Sequence, residues 1–262
     1  MEIEKINKAI ELIQAGNSIR KTAKILEEAY TTIRYYTYDY AIKRESLNYN
    51  RDFFETIDSE KKAYWLGYIA ADGSICSQRS SRTISITTKE SDYNHLVKYI
   101  ESLEGNFKPK VKNVKYRGSY HIAYRVSLSS QKMYNDLMNK GIIERKSLTL
   151  MPPVNVPESL IKHWIRGYFD GDGSIFFAER DSCYNMSITG TQDVLNFINN
   201  FVFNGEQRVA HRKRKDKAVF GLGATRKKAI PFYEKIYKDA NIYLERKKLL
   251  FDIFAQTYIL TQ

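Results

Sequence analysis

The chain has 262 residues, 43% of them apolar, enough for one large domain or two to three small ones with a proper core. Forty-two Lys and Arg against 30 Asp and Glu leave a net charge of +12; this favours a polyanionic partner, because cations that neutralise phosphates release condensed counterions. Two distant cysteines, Cys76 and Cys183, exclude a Cys-x-x-Cys zinc site and a disulfide framework, no apolar run approaches the ~18 residues of a membrane span, and the expected location is therefore the reducing cytoplasm.

Ile3, Ile6, Ile10, Leu12 and Ile13 recur at helical spacing and predict an amphipathic helix over 3–15, ended by Gly16. Asn17 or Ser18 caps a second helix with Ile19, Ala23, Ile25 and Leu26 apolar, and a third runs from Tyr30 to about Tyr38. The run SIRKTAKILEEAYTTIRYY resembles a helix-turn-helix module of the resolvase-like kind, except that Glu27 and Glu28 occupy a turn where such motifs often carry Gly. The resemblance implies that the last helix enters the major groove, with Thr31, Thr32, Arg34 and Tyr35 as candidate contacts. A plain three-helix cap is the alternative. Residues 1–45 form this expected module; 46–59, polar and without clear periodicity, read as a linker ending in a capping signal at Asp58 or Ser59.

From residue 60 the chain repeats itself. KKAYWLGYIAADGSI (61–75) aligns with IKHWIRGYFDGDGSI (161–175), placing Asp72 and Asp172 100 residues apart. A second landmark follows: Glu-Arg-Lys recurs in GIIERKS (141–147) and IYLERKK (242–248), with 74 residues from Asp72 to Lys146 and 75 from Asp172 to Lys247. Two landmarks at nearly one offset define duplicated units, 60–152 and 153–262, each the size of a small domain. Within each, a helix ends at Asp-Gly and alternating segments follow: 82–88 and 121–129 in the first, 185–190 and 218–225 in the second. Helical segments at 94–103, 131–140, 194–202 and 230–240 complete an α+β unit with an antiparallel sheet.

Asp72 and Asp172 fall at the C-terminal end of equivalent helices, and Gly67 and Gly167, five residues earlier, let two such helices pack closely. That packing would bring two carboxylates to one point, where they repel unless a cation lies between them. Mg²⁺, which prefers one or two carboxylates plus water and phosphate oxygens, suits such a place and promotes phosphodiester hydrolysis. Competing readings of Asp-x-Asp-Gly fail: a calcium loop starting at Asp170 would need Gly and Glu where Ile175 and Asp181 stand, and the aspartic-protease signature is absent. Gly221-Leu-Gly223 lacks the third glycine of a dinucleotide loop.

WLGYIAADG (65–73) and IRGYFDGDG (165–173) resemble the LAGLIDADG motif of homing endonucleases; the resemblance covers both motif helices and, more loosely, residues 60–255. The first copy departs from it at Ala70, where the family usually has Asp. What the resemblance implies is two pseudo-symmetric αββαββα-type units forming a DNA-binding β-saddle. It also implies metal binding (Mg²⁺ or Mn²⁺) by Asp72 and Asp172, and a basic residue near each scissile phosphate, matched here by Lys146 and Lys247. Asp170 matches an earlier, helix-terminal Asp rather than a metal ligand. The implied activity is cleavage of both strands of a long duplex site with 3′ overhangs, by a monomer whose unequal halves need no palindrome.

Candidate DNA contacts on the sheets are Arg79, Arg82, Lys110, Lys112, Lys115, Arg117 and Arg125 in the first unit. In the second they are Arg208, Arg212, Lys213, Arg214, Lys215 and Lys217, the last four in the densest basic run of the chain. An intron-RNA maturase and a repressor that has lost cleavage are the competing readings of the same scaffold.

Overall fold

The computed structural model of the chain describes residues 1–38, 40, 47–78, 81–116, 118–212 and 219–259. They divide into two compact units, Met1–Leu47 and Asn48–Gln262.

The first unit is three helices: α1 (Ile3–Gln14), α2 (Ile19–Ile25) and α3 (Tyr30–Thr37). Ser18 caps α2 by accepting from the Lys21 amide, satisfying one of the amides a helix start leaves open. Ala9, Ala23 and Ile33, one residue from each helix, form the core, with Met1, Ile19 and Leu26 packed against it. The turn between α2 and α3 does require a left-handed residue, and Glu27 supplies it at φ 54° in place of the customary glycine. Its neighbour Glu28 accepts from the Lys5 ammonium at 2.9 Å, tying that turn to α1.

The second unit holds the repeat. Its first half runs α4 (Glu60–Ala71), β1 (Gly73–Gln78), β2 (Ser81–Lys89), α5 (Tyr93–Ser102), β3 (Lys110–Tyr116), β4 (Ser119–Ser129) and α6 (Gln131–Asn139). The second half runs α7 (Ile161–Asp172), β5 (Gly173–Ala178), β6 (Cys183–Gly190), α8 (Gln192–Phe203), β7 (Val209–His211) and β8 (Phe220–Thr225). It closes with α9 (Ile230–Phe232), continued as one π-helical turn over Tyr233–Tyr237, and α10 (Glu245–Tyr258). Each half has one antiparallel four-stranded sheet, in the orders β1-β2-β4-β3 and β5-β6-β8-β7.

Alternation along the strands sets the two faces of each sheet. In the first, Ile75, Ile84 and Leu128 lie opposite one another across three strands and are buried, as are Ile86 and Val126. Leu96 and Ile100 of α5 and Met133 and Leu137 of α6 are buried on the helix side. The other face is polar, with Ser74, Ser85 and Ser127 in one cross-strand row. In the second sheet Ile175, Met186 and Ala224 make the matching buried row.

The segment read as a linker differs. From Asn48 onward it belongs to the second unit, with Tyr49, Phe53, Phe54 and Ile57 buried. Its backbone is paired as well: the Asn50 amide donates to Leu103 O at 2.7 Å, and Asn106 returns a bond to Asn48 O. Adjacent aromatics, Phe53 and Phe54, stack edge to face and supply apolar area without helical or strand periodicity.

Candidate active site

The two repeated helices, α4 and α7, lie against each other with their backbones in contact. A Cβ on Gly67 would fall 2.0 Å from Trp164 O, and one on Gly167 would fall 1.9 Å from Tyr64 O. Only hydrogen fits at either place, so glycine sets the approach of the two helices. The helices stay together to their C-terminal ends, where a Cβ on Gly171 would meet the Ala71 side chain at 2.3 Å and the Asp72 carboxyl carbon at 3.4 Å.

Asp72 caps α4 and Asp172 is the last residue of α7. Both carboxylates reach solvent, yet both are crowded by surrounding protein. Crowding and, after it, the neighbouring Asp72 charge raise the Asp172 pKa to about 6, against the pull of Lys146 and Lys247. Asp72 is raised by the same burial, opposed by the two lysines. The pair borders a cavity of about 470 Å³ whose walls include Lys146, Ser147, Thr189 and Thr191.

The two lysines are not equivalent. Lys146 follows Arg145, which takes the left-handed conformation at φ 54°, and begins a short 3₁₀ turn facing the cavity. Its ammonium donates to Ala71 O at 2.8 Å, and burial lowers its pKa against the attraction of Asp172 and Asp72. Lys247 lies in the first turn of α10 with 1% of its surface exposed. It donates to Phe169 O, Asp170 O and Gly173 O at 2.7, 2.7 and 2.6 Å, three bonds for an ammonium with three hydrogens. Burial pulls its pKa down to about 8.

Asp170 is also fully buried and does not face the cavity. It accepts from the Tyr64 hydroxyl at 2.7 Å, the Leu244 amide at 2.7 Å and the Tyr237 hydroxyl. The carboxylate therefore joins α7 to α4, to the π-helical turn and to the start of α10.

No family model matches the chain. Among solved structures, the homing endonuclease I-WcaI bound to its DNA recognition sequence aligns with a TM-score of 0.51 at 15% identity, over 76% of this chain and 91% of that one. The LAGLIDADG meganuclease I-AabMI bound to uncleaved DNA gives 0.50 at 14% identity, over 78% and 91%. The chain has the LAGLIDADG fold. A curated relative, "Probable intron-encoded endonuclease Cox1-I1b" of Schizosaccharomyces pombe, is 25% identical over 130 residues, 47% of this chain; the match spans 33% of that protein's length.

The LAGLIDADG scaffold sorts the other sequence-derived candidates by face. Lys110, Lys112 and Arg125 share the polar face of the first sheet with Ser85 and Ser127. Arg82 has the opposite parity, in line with Ile84 and Ile86, and its guanidinium lies over the Tyr134 ring of α6. Lys115, opposite Tyr120, also has the helix-side parity, near the exposed tip of the β3–β4 hairpin. Arg208 is exposed just before β7, and Arg212 follows it. In the N-terminal unit Thr31, Arg34 and Tyr35 of α3 are exposed, Tyr35 at 78%, and Thr32 is half-buried. Arg79, Arg117, Lys213, Arg214, Lys215 and Lys217 lie outside the described residues.

Sequence reasoning missed a second polar network. Arg166, 1% exposed, donates to Ile242 O at 2.7 Å and Ile236 O at 2.9 Å and pairs with Glu60. Glu60 in turn accepts from the amide and side chain of Asn241. The available signal was an arginine in the middle of the second motif helix where the first copy has Leu66, since a buried guanidinium needs partners.

The residues fit a hard divalent ion. Asp72 and Asp172 are oxygen donors whose pKa values are raised by burial and, at Asp172, by the neighbouring carboxylate. Two carboxylates are the number of protein ligands that Mg²⁺ takes beside water and phosphate oxygens.

Proposed function

We propose that this chain is a site-specific double-strand DNA endonuclease that depends on a divalent ion, Mg²⁺ or Mn²⁺. The observation that carries the reading is the convergence of Asp72 and Asp172 at the abutting ends of α4 and α7, beside a cavity that Lys146 also borders. The DNA-bound state of the structural relatives and the intron-encoded endonuclease among curated relatives support it.

Asp72 and Asp172 would hold the metal. When bound, a divalent ion supplies Lewis acidity at a phosphoryl oxygen and lowers the pKa of coordinated water. Lys146 keeps its ammonium at the cavity wall, where its remaining hydrogens stabilise charge developing on a phosphate oxygen. Lys247 acts at one remove, as a positioning residue that holds the carbonyls around the end of α7 and so fixes where Asp172 points.

The substrate is a long duplex lying on the polar sheet faces. The halves present different side chains, so the site need not be palindromic and one copy of the chain suffices for both strands. Residues 1–45 act as a helix-turn-helix module in which Thr31, Thr32, Arg34 and Tyr35 extend the footprint. Removing residues 1–45 is expected to weaken binding without abolishing cleavage.

The test is incubation of a randomised duplex library with Mg²⁺, comparing the parent with Asp172→Asn. Cuts at one site that vanish in the variant are expected. Tight selection of a duplex without cutting, or of an RNA in its place, would overturn the reading in favour of a repressor or a maturase.

A further inference from the structure

The two sheets place an arginine over the same spot by different routes. In the first sheet Thr87, Arg125 and Lys110 stand opposite one another, one step beyond the Gly73–Ile86 pair on the side of Asp72. The corresponding row of the second sheet, one step beyond Gly173–Ile188, is Thr189, Gly221 and Ala210. Gly221 thus occupies the position of Arg125 and has no side chain to offer.

Arg212 fills the gap from the neighbouring strand. Its amide donates to Val219 O at 2.9 Å, which continues the β7–β8 ladder and fixes its register two residues beyond Ala210. A Cβ on Gly221 would fall 2.6 Å from Arg212 Nε and 3.4 Å from its Cζ. The guanidinium therefore lies across β8 on the space that the missing side chain leaves. In the first half Arg125 also lies along its sheet: Nη2 donates to Ser85 Oγ at 2.8 Å, and Ser85 is bonded to Ser74 at 2.9 Å. The Ser174–Ser187 pair repeats that serine contact at 3.0 Å in the second half. Arg125 Nε is buried and has no hydrogen-bond partner among the described residues.

We propose that Arg125 and Arg212 form a matched pair of phosphate-binding arginines, one in each half, flanking the aspartate-lined cavity, and that Gly221 is required because Arg212 reaches its place across it. The proposal rests on the nuclease reading only in needing a duplex on the polar faces. Phosphate rather than base is the assigned ligand because both side chains run along the sheet. A guanidinium spent along the surface meets the atoms a duplex presents first, whereas base reading needs a side chain that stands up into the groove.

The experiment measures affinity in EDTA, without cleavage, for a duplex that the parent chain has selected from a randomised pool. Arg125→Ala, Arg212→Ala and Gly221→Ala are each expected to weaken binding about tenfold, since each removes or displaces a charge-assisted contact. The loss should be nearly uniform over single-base variants of the duplex, and the slope of affinity against salt should fall by about 1 for each arginine removed. Gly221→Ala asks only a flexible side chain to move, so its melting temperature should match the parent's. The double variant Arg212→Ala with Gly221→Arg places the arginine as the first half does, and should recover most of the lost affinity. Parent-like binding by Arg212→Ala and Gly221→Ala, or a loss confined to one base pair, would overturn the pair while leaving the nuclease reading intact. Failure of the parent to select any duplex would overturn both.

Discussion

The two halves of the repeat share a motif but support it by opposite means. At the positions of Leu66 and Ala70 in α4, α7 carries Arg166 and Asp170. All four are buried. In the first half these places are simply apolar. In the second they hold a guanidinium and a carboxylate, each satisfied by several partners drawn from α4, the π-helical turn and the residues before α10. Lys247 repeats the contrast, with three carbonyl bonds where Lys146 has one recorded. Repetition has kept what the site requires, the glycines and the terminal aspartates, and has let the framework behind it diverge. The lesson is that equivalent residues in a duplicated fold need not have equivalent jobs.

The comparison breaks most sharply at the feature the halves share. Gly67→Ala and Gly167→Ala should each cost at least about 3 kcal/mol, because the new methyl meets a backbone carbonyl that cannot swing aside. Denaturant midpoints of the two variants should fall together. Asp170→Ala comes next: it strands the Tyr237 hydroxyl and the Leu244 amide and leaves the Tyr64 hydroxyl only His95 Nε2, for a loss of about 3 kcal/mol. The same measurement on Ala70→Asp, which buries a carboxylate where Ala70 is packed, should show destabilisation rather than gain; added stability would mean that the first half has a latent network.

Lys247→Met against Lys146→Met sharpens the division of labour. The first should lower stability by about 2 kcal/mol or more, since three carbonyls lose a charged donor. The second should change stability by about 1 kcal/mol or less and reduce cleavage instead. Equal unfolding midpoints for the two would refute the asymmetry.

The smallest effect is a pH dependence. Burial holds His95 neutral, its pKa pulled down to about 3, and His163 is pulled down to about 4. Below an unfolded value of about 6.5 the unfolded chain binds protons that the folded chain refuses, so stability is lost as pH falls from about 6.5 toward 4. Asp172, pushed up to about 6, works in the other direction, because its folded form takes up a proton first. Replacing His95 with Gln isolates its contribution: the slope of stability against pH over that window should become shallower by at most about 1.4 kcal/mol per pH unit. An unchanged slope would show that His95 titrates normally in the fold.

Much of the fold could be read in the chain because the repeat supplies two landmarks, Asp-Gly-Ser-Ile and Glu-Arg-Lys, at one offset. The alternation made β2, β4, β6 and β8 visible; β1, β3, β5 and β7 were not picked out by it. The site was legible in its carboxylates and glycines, which a pattern of residue types can specify. The burial of Lys247 was not, since a lysine two residues into a helix is ordinarily solvated, and only the carbonyls at the end of α7 and the start of β5, 74 to 78 residues away, make its interior place tolerable. Arg82 illustrates the same limit at finer scale. Its alternation with Ile84 puts it on the helix face, but only the ring of Tyr134 shows how the charge is accommodated there.

The contacts that Gly67 and Gly167 each make with the opposite helix have a last consequence. Where the two helices touch, the spacer is a carbonyl oxygen of the opposite backbone, not a side chain. The distance between the ends of α4 and α7 is thereby gauged by an atomic radius that no substitution can alter. Sequence drift elsewhere can reshape the sheets and exchange the networks behind them, yet both carboxylates remain calibrated against the same unchanging ruler.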